Sequence, residues 1–195
     1  MRITAVQSLK ALALLVAAGL LPVAAQQAAP PAAPPGPQFL LTSPAFNDGS
    51  DIPVKYSCSA TPAAVSPTLQ WKNVPTGAAS FTLIFHDPDA HPAKAMSDVT
   101  HWIVWNIPAT ATQLAENVVA NPKMDNGAVQ GKNVRGVNGY QGPCPPPGKP
   151  HHYTFELYVL DNTLDLGPDA SRADVLKAMD GHIIGKAVYI GFFHR

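Results

Sequence analysis

Short apolar or alternating runs recur along the chain between proline, glycine and asparagine residues, a pattern typical of β-strands. Seven runs predict strands, at residues 39–42, 52–56, 68–71, 81–86, 102–107, 153–160 and 188–193. Phe81, Leu83 and Phe85 share one face by the period of two, whereas residues 102–107 are apolar on both faces. A strand that is apolar on both faces belongs inside a sheet covered on both sides, so the pattern predicts a layered β core.

One helix interrupts the strand pattern. Ser171 is expected to cap it, and Asp174, three residues later, completes a variant of the capping box. Val175, Leu176 and Met179 are expected to form a buried stripe that packs the helix on a sheet face. Residues 117–133 are polar, contain glycine and show no clean period, so they are predicted as loop with weak strand.

Composition supports a fold built from strands. The 195-residue chain holds 21 prolines and 14 glycines, and only 13% of its residues are charged. This balance favours short strands and ordered loops over long helices. Since 46% of the residues are apolar and the length suits one core, we expect one mainly β domain over residues 38–195.

The charge pattern excludes one class of partner. Thirteen basic residues balance 13 acidic ones, and no run of lysine or arginine exceeds two residues. The basic patch of a nucleic-acid-binding protein is therefore missing. Without a polybasic patch or a basic amphipathic helix, membrane contact is expected only through a lipid head group, if at all.

Residues 1–25 read as a secretory signal peptide. Arg2 and Lys10 supply the positive region, residues 11–21 are apolar, and small residues precede a cleavage site after Ala25. The apolar run is shorter than the roughly 20 residues that span a bilayer. We therefore expect a periplasmic or secreted protein, with the Ala- and Pro-rich residues 26–37 as an extended linker.

The predicted export bears on whether the two cysteines form a disulfide. Cys58 and Cys144 are the only cysteines, and an oxidising compartment predicts that they form a disulfide. Two buried free thiols are the alternative. No Cys-x-x-Cys spacing is present, so a metal site built on these cysteines is not expected.

Two groups of polar residues stand where predicted strands meet loops. The Gly- and Pro-rich residues 139–153 end in His151 and Tyr153, while Asp87 follows one strand and His101 opens another. Rigid loops present side chains well for binding, so these groups predict one shared pocket. Imidazole, phenol and loop amide donors suit a phosphate or carboxylate group.

The carboxylate of Asp87 limits which anionic ligands are expected. A carboxylate beside an anion is repulsive unless a proton is shared or the ligand also carries a cation. This favours a phosphomonoester or a phosphoethanolamine-like head group over a bare dianion. The alternative for Asp87-Pro88-Asp89 is an ordinary turn whose carboxylates bond nearby amides.

Several motifs in order carry a family resemblance. They are Asp87-Pro-Asp-Ala90, His101-Trp-Ile-Val-Trp-Asn-Ile-Pro108, Gly139-Tyr-Gln-Gly-Pro-Cys-Pro-Pro-Pro-Gly148 and His151-His-Tyr153. Over residues 39–193 the chain resembles the phosphatidylethanolamine-binding protein family, in particular its bacterial branch, often labelled Raf kinase inhibitor-like. The resemblance implies a large central β-sheet packed with a smaller sheet and peripheral helices, and a small pocket for phosphate, acetate or phosphoethanolamine.

Position by position, the resemblance assigns ligand binding to Asp87, His101, Pro145, His151 and Tyr153. It implies no catalytic residue, no cofactor and no metal. Asp89 is expected to support its loop rather than touch the ligand. The chain departs from the family's usual pattern at His91 and at residues 99–100, which belong to the lip of the expected pocket.

Three functions follow from this pattern. The favoured one is an exported, non-enzymatic binding protein for a small phosphorylated or carboxylated ligand, extended by an inhibitory role toward a protein partner. The second is a metal-assisted hydrolase or a histidine-based acid/base catalyst, drawing on the aspartates and on His86, His91, His101 and His151. The third is an interaction module resembling a protease inhibitor, for which the proline-rich loop is the sole argument.

Overall fold

The computed structural model describes residues 36–94 and 96–195. The predicted signal peptide at residues 1–25 lies outside this range, as does the predicted linker at residues 26–37 except for its last two residues. Both stay predictions. Within the described residues, no helix combines the length and apolar character needed to cross a bilayer.

The described residues form nine strands and one α-helix. The strands are β1 (Leu40–Thr42), β2 (Ser50–Asp51), β3 (Leu69–Lys72), β4 (Ser80–Asp87), β5 (Val99–Pro108), β6 (Gln113–Leu114), β7 (Val129–Gln130), β8 (His151–Leu160) and β9 (Ile183–Phe193). The larger sheet has the order β2-β9-β8-β4-β5-β7, and the smaller has the order β1-β3-β6. Only β2 and β9 pair in parallel. The fold is therefore mainly β with two sheets, as the sequence predicted.

Six of the seven predicted strands overlap observed ones, and the prediction at residues 52–56 is wrong. Only Ser50–Asp51 pairs as a strand there, and Val54–Tyr56 forms a 3₁₀ turn instead. Pro53 has no backbone N–H for a ladder, and its carbonyl accepts from Tyr56 N at 2.9 Å. Proline at that position therefore favours the turn over a continued strand.

The main core lies between the two sheets. The smaller sheet contributes Leu41, Leu69, Trp71 and Leu114, and the larger sheet contributes mostly aromatic and branched residues. Phe81, Leu83 and Phe85 all face this core, and each is fully buried. The alternation in β4 thus holds as predicted.

A second core covers the other face of the larger sheet. Ile84, Ile103 and Trp105 pack there against Val175 and Met179 of the α-helix. This explains why β5 is apolar on both faces, because each face meets a different layer.

The α-helix, α1 (Arg172–Met179), begins as the sequence predicts. Ser171 accepts a hydrogen bond from Asp174 N, and the Asp174 carboxylate accepts one from Ser171 N, so the capping box is complete. Val175 and Met179 are buried, but Leu176 is 42% exposed. The predicted stripe is therefore wrong at Leu176, which lines a surface cleft beside Arg172 instead of packing on the sheet.

Cys58 and Cys144 form a disulfide that joins segments 86 residues apart in sequence. Beside it, Cys58 N donates to Pro143 O at 3.0 Å, and the Tyr140 hydroxyl donates to Tyr56 O at 2.7 Å. A Cβ at Gly142 would lie 2.7 Å from Tyr56 O, so only glycine allows this close approach. The loop after Gly139 is therefore held against the body of the domain.

Candidate functional site

A cavity of about 300 Å³ opens at the end of the larger sheet. Its lining comes from the ends of β4, β5 and β8 and from two loops, and comprises Asp87, Ala90, Val99, His101, Val134, Arg135, Gln141, Cys144, Pro145, Pro146 and His151. Larger clefts exist elsewhere in the described residues, but no histidine lines them. The cavity at the sheet end is therefore the place where the predicted donors meet.

A β-bulge aims His101 into this cavity. Phe85 pairs with Trp102, but the next residue of β4 pairs with Thr100, so His101 is the extra residue of β5. Strict alternation would put His101 on the face opposite Trp102. Instead its ring lies 5.5 Å from the Phe85 ring and 5.2 Å from the Tyr153 ring, on the side of the main core.

The His101 ring is held in one orientation. Nδ1 lies 2.9 Å from the Gln141 carbonyl oxygen, and since a carbonyl only accepts, Nδ1 carries the proton. Burial lowers the pKa of His101, and the Gln141 carbonyl and the Asp87 charge offset this only in part. The neutral ring therefore keeps Nε2 as an acceptor for a protonated group.

Asp87 and His151 form a second fixed pair in the cavity wall. His151 Nδ1 donates to Asp87 Oδ2 at 2.8 Å, and the side chains are 20% and 3% exposed, respectively. Asp87 Oδ1 also accepts from Asp89 N at 3.0 Å, so the turn is the ordinary Asp-Pro turn as well as part of the site. His151 Nε2 remains for a ligand.

Asp89 supports the loop instead of lining the cavity. Its Oδ2 accepts from the backbone N of His152 at 2.6 Å and from the ring Nδ1 at 2.7 Å. Burial alone would raise the pKa of Asp89, but these two hydrogen bonds lower it. The structure thus gives Asp89 a supporting position, as the sequence predicted.

Tyr153 lies behind the cavity wall. Its ring is fully buried, 6.0 Å from the Phe85 ring, and its hydroxyl has no hydrogen-bond partner among the described residues. Burial raises the pKa of Tyr153 strongly, and the nearby Asp87 carboxylate adds to this. Of the five predicted binding residues, four line the cavity, and Tyr153 backs them with an unpaired hydroxyl.

Pro145 lines the cavity on a loop tied at two further points. The Pro145 carbonyl accepts from Arg195 Nε at 2.6 Å, and the preceding residue, Cys144, is in the disulfide. Both ties hold the proline ring in place without occupying the cavity.

Val99 lies in the lining, in keeping with its expected place at the lip, but sequence reasoning missed six lining residues: Ala90, Val134, Arg135, Gln141, Cys144 and Pro146. Val134 and Arg135 belong to a turn after β7 that folds over the end of β5, where Val134 N donates to Thr100 O at 2.9 Å. The Asn and Gly residues around them signal a turn. Nothing local indicates which edge of the sheet that turn covers.

One group of the described residues has the spacing of a metal site. Ligand atoms of Asp87, Asp89 and His151 lie within 4.8 Å of one another. Both carboxylates already accept imidazole protons, from His151 and His152. A cation would have to displace these hydrogen bonds, so the present arrangement suits a hydrogen-bonded ligand better.

The histidines that the hydrolase hypothesis combined are not all brought together. His86 points to the opposite face of the sheet, where its Nδ1 lies 2.6 Å from Asp98 Oδ2. His91 is exposed and does not line the cavity. Only His101 and His151 of that set reach the cavity.

Comparison with known proteins identifies the family that the sequence motifs resemble. The sequence profile of the phosphatidylethanolamine-binding protein family matches residues 42–194. A UPF0098 protein of Methanothermobacter thermautotrophicus is 48% identical over 155 residues, which cover 80% of this chain and 98% of that protein. The chain belongs to the phosphatidylethanolamine-binding protein family.

Two crystal structures are similar to the fold. One is a phosphatidylethanolamine-binding protein homologue from Chlamydia trachomatis, with a TM-score of 0.72 at 39% identity, covering 81% of this chain and 98% of that one. The other is YbcL of Escherichia coli, described as a member of the mammalian family, with a TM-score of 0.72 at 34% identity, covering 82% and 99%.

Proposed function

We propose that the protein binds the anionic group of a small phosphorylated or carboxylated molecule in the cavity at the end of the larger sheet. The observation that carries this proposal is the pair of histidines. His101 and His151 are each fixed through Nδ1, to a carbonyl and to Asp87, and each keeps Nε2 for the ligand, where the neutral His101 ring accepts from a protonated phosphate or carboxyl oxygen. Rings held in this way are preorganised, so binding costs little ordering entropy.

The lining also supports binding without turnover. It contains no serine, threonine or lysine, and its only cysteine is in the disulfide. A general base is present in the Asp87–His151 pair, but no nucleophile accompanies it. The predicted export and the inhibition of a protein partner belong to the same proposal and rest on residues 1–25 and on the family resemblance.

Calorimetric titration with inorganic phosphate, acetate and phosphoethanolamine tests the proposal. His151→Ala is expected to weaken binding at least about tenfold, because a hydrogen bond to a charged group is lost. His182→Ala is a matched control, since His182 makes the same 2.8 Å contact with Asp161 but lies outside the cavity lining. Equal affinity in the two variants, both shown to be folded, would contradict the proposal.

A water-activating hydrolase is the second candidate, favoured by the Asp87–His151 pair alone. An imidazole oriented by a carboxylate is the arrangement of a general base. The test is hydrolysis of p-nitrophenyl phosphate and p-nitrophenyl acetate. Turnover that disappears in His151→Ala but persists in His182→Ala would favour this function over simple binding.

A further inference from the structure

Arg135 is the only permanently positive residue in the lining of the cavity. Its side chain is exposed and makes no salt bridge or hydrogen bond with residues 36–94 or 96–195. By contrast, Arg172 pairs with Asp98, and Arg195 donates to the Pro145 carbonyl. The Arg135 charge is therefore available to a ligand.

The turn that carries Arg135 is built rigidly. The Asn133 side chain is largely buried, and its Oδ1 accepts from Arg135 N at 2.9 Å and from Val137 N at 3.3 Å. Asn133 Nδ2 donates to Gly139 O at 3.0 Å, and Gly136 takes a φ of 75° that glycine adopts without strain. The backbone of Arg135 is thus fixed beside the strand end that holds His101.

The cavity is larger than its anionic anchor needs. Its volume of about 300 Å³ falls within the range of pockets that hold small organic molecules. Much of the remaining lining is apolar and comes from Ala90, Val99, Val134, Pro145 and Pro146. Such a lining suits a short carbon arm on the ligand.

We propose that Arg135 selects ligands that carry a second anionic group on this arm, such as a phosphorylated carboxylic acid, and disfavours those with an ammonium group there. This inference rests on the proposed function, because the first anionic group is the one bound at His101 and His151. A guanidinium pairs well with a carboxylate and repels an ammonium. At the buried end, both Asp87 oxygens already accept hydrogen bonds, from His151 Nδ1 and from Asp89 N, so neither is left to pair with an ammonium.

The test uses three phosphomonoesters that share a two-carbon arm and differ in the charge at its end: phosphoglycolate, ethyl phosphate and phosphoethanolamine. The wild-type protein is expected to bind phosphoglycolate at least about fivefold more tightly than ethyl phosphate, and phosphoethanolamine most weakly. Arg135→Gln should remove this ranking without weakening ethyl phosphate binding. Arg135→Glu should reverse it.

Lys72→Gln is the control for the loss of one positive charge, because Lys72 lies on β3 and does not line the cavity. It should keep the wild-type ranking. Equal affinity of the wild type for all three ligands, or an unchanged ranking in Arg135→Gln, would overturn the inference while leaving the proposed anion site intact. If none of the three ligands binds the wild type, the proposed function falls, and the role of Arg135 falls with it.

Discussion

The two faces of the larger sheet each carry a histidine beside an aspartate, yet only one face forms a candidate site. His86 and Asp87 are neighbours in β4, and their side chains point to opposite faces. On one face, Asp87 accepts from His151 at the wall of a cavity. On the other, His86 meets Asp98 at 2.6 Å beneath α1. Both faces therefore carry a histidine–aspartate pair, but one pair borders a cavity and the other is covered by the helix.

On the face covered by α1, the charged side chains pair with one another. Asp98 is shared between His86 and Arg172 of α1. Burial alone would raise the pKa of Glu156, but hydrogen bonds from Lys186 and Tyr158 lower it. His86 Nε2 is buried, without a hydrogen-bond partner, and lies 3.8 Å from Glu156 Oε2. His86 lines none of the main cavities of the described residues, so its unused Nε2 is closed to a ligand and the cluster is structural.

On the cavity face, several polar side chains have hydrogen-bonding atoms without a partner. His101 and His151 each use one ring nitrogen, and the Tyr153 hydroxyl has no partner among the described residues. A histidine–aspartate pair therefore indicates a binding site only when part of it stays open to a cavity. Substituting selected side chains on each face tests which of them stabilise the fold and which contribute to binding.

The largest effect is expected from the disulfide on the cavity side. Replacing Cys58 and Cys144 together by alanine should lower the free energy of unfolding by about 4 kcal/mol, because the bond closes a long loop in the unfolded chain. Since Cys144 lines the cavity, affinity for phosphate should fall as well. Denaturant unfolding and titration measure the two quantities. Unchanged affinity would mean that the other loop contacts hold the cavity alone.

The next effect is expected on the covered face. Asp98→Ala should cost about 3 kcal/mol of unfolding free energy, because it leaves Arg172 and His86 without their shared carboxylate. Phosphate affinity should not change. Asp161→Ala is the control, since Asp161 pairs with His182 at an exposed position and should cost under about 1 kcal/mol. Lost affinity in Asp98→Ala would contradict the separation of the two faces.

The smallest effect is the pH dependence that His101 contributes. Burial puts the pKa of His101 below its unfolded value, so the unfolded state binds more protons between those two values. The free energy of unfolding should therefore fall as the pH drops from about 6.5 toward the folded pKa. His101→Gln should lose this contribution, and His182→Gln should not. Parallel stability curves for wild type and His101→Gln would show that His101 does not carry it.

Much of the fold could be predicted from local pattern. The period of two in residues 81–86 gave the buried face of β4, and Ser171 with Asp174 gave the start of α1. The error at residues 52–56 has a local cause as well, because Pro53 favours a turn that the apolar run concealed. The motifs also indicated four of the residues that line the cavity.

The rest of the site depends on pairing between distant segments. The bulge at His101 is a shift between β4 and β5, and alternation in β5 alone would have turned this ring to the wrong face. Tyr153 follows His151 by two residues on the same strand, but it lies deeper in the sheet, so it is fully buried and does not line the cavity. No local signal marks Arg135 as a lining residue.

The sequence by itself determined which segments become strands, where the helix is capped, and which polar residues stand at strand ends, because each depends on neighbours within a few positions. Tertiary structure decided which of those ends meet, which histidine stays open, and which turn brings Arg135 to the cavity. These depend on register and on the layer that covers each face, and both are set by contacts between residues far apart in the chain.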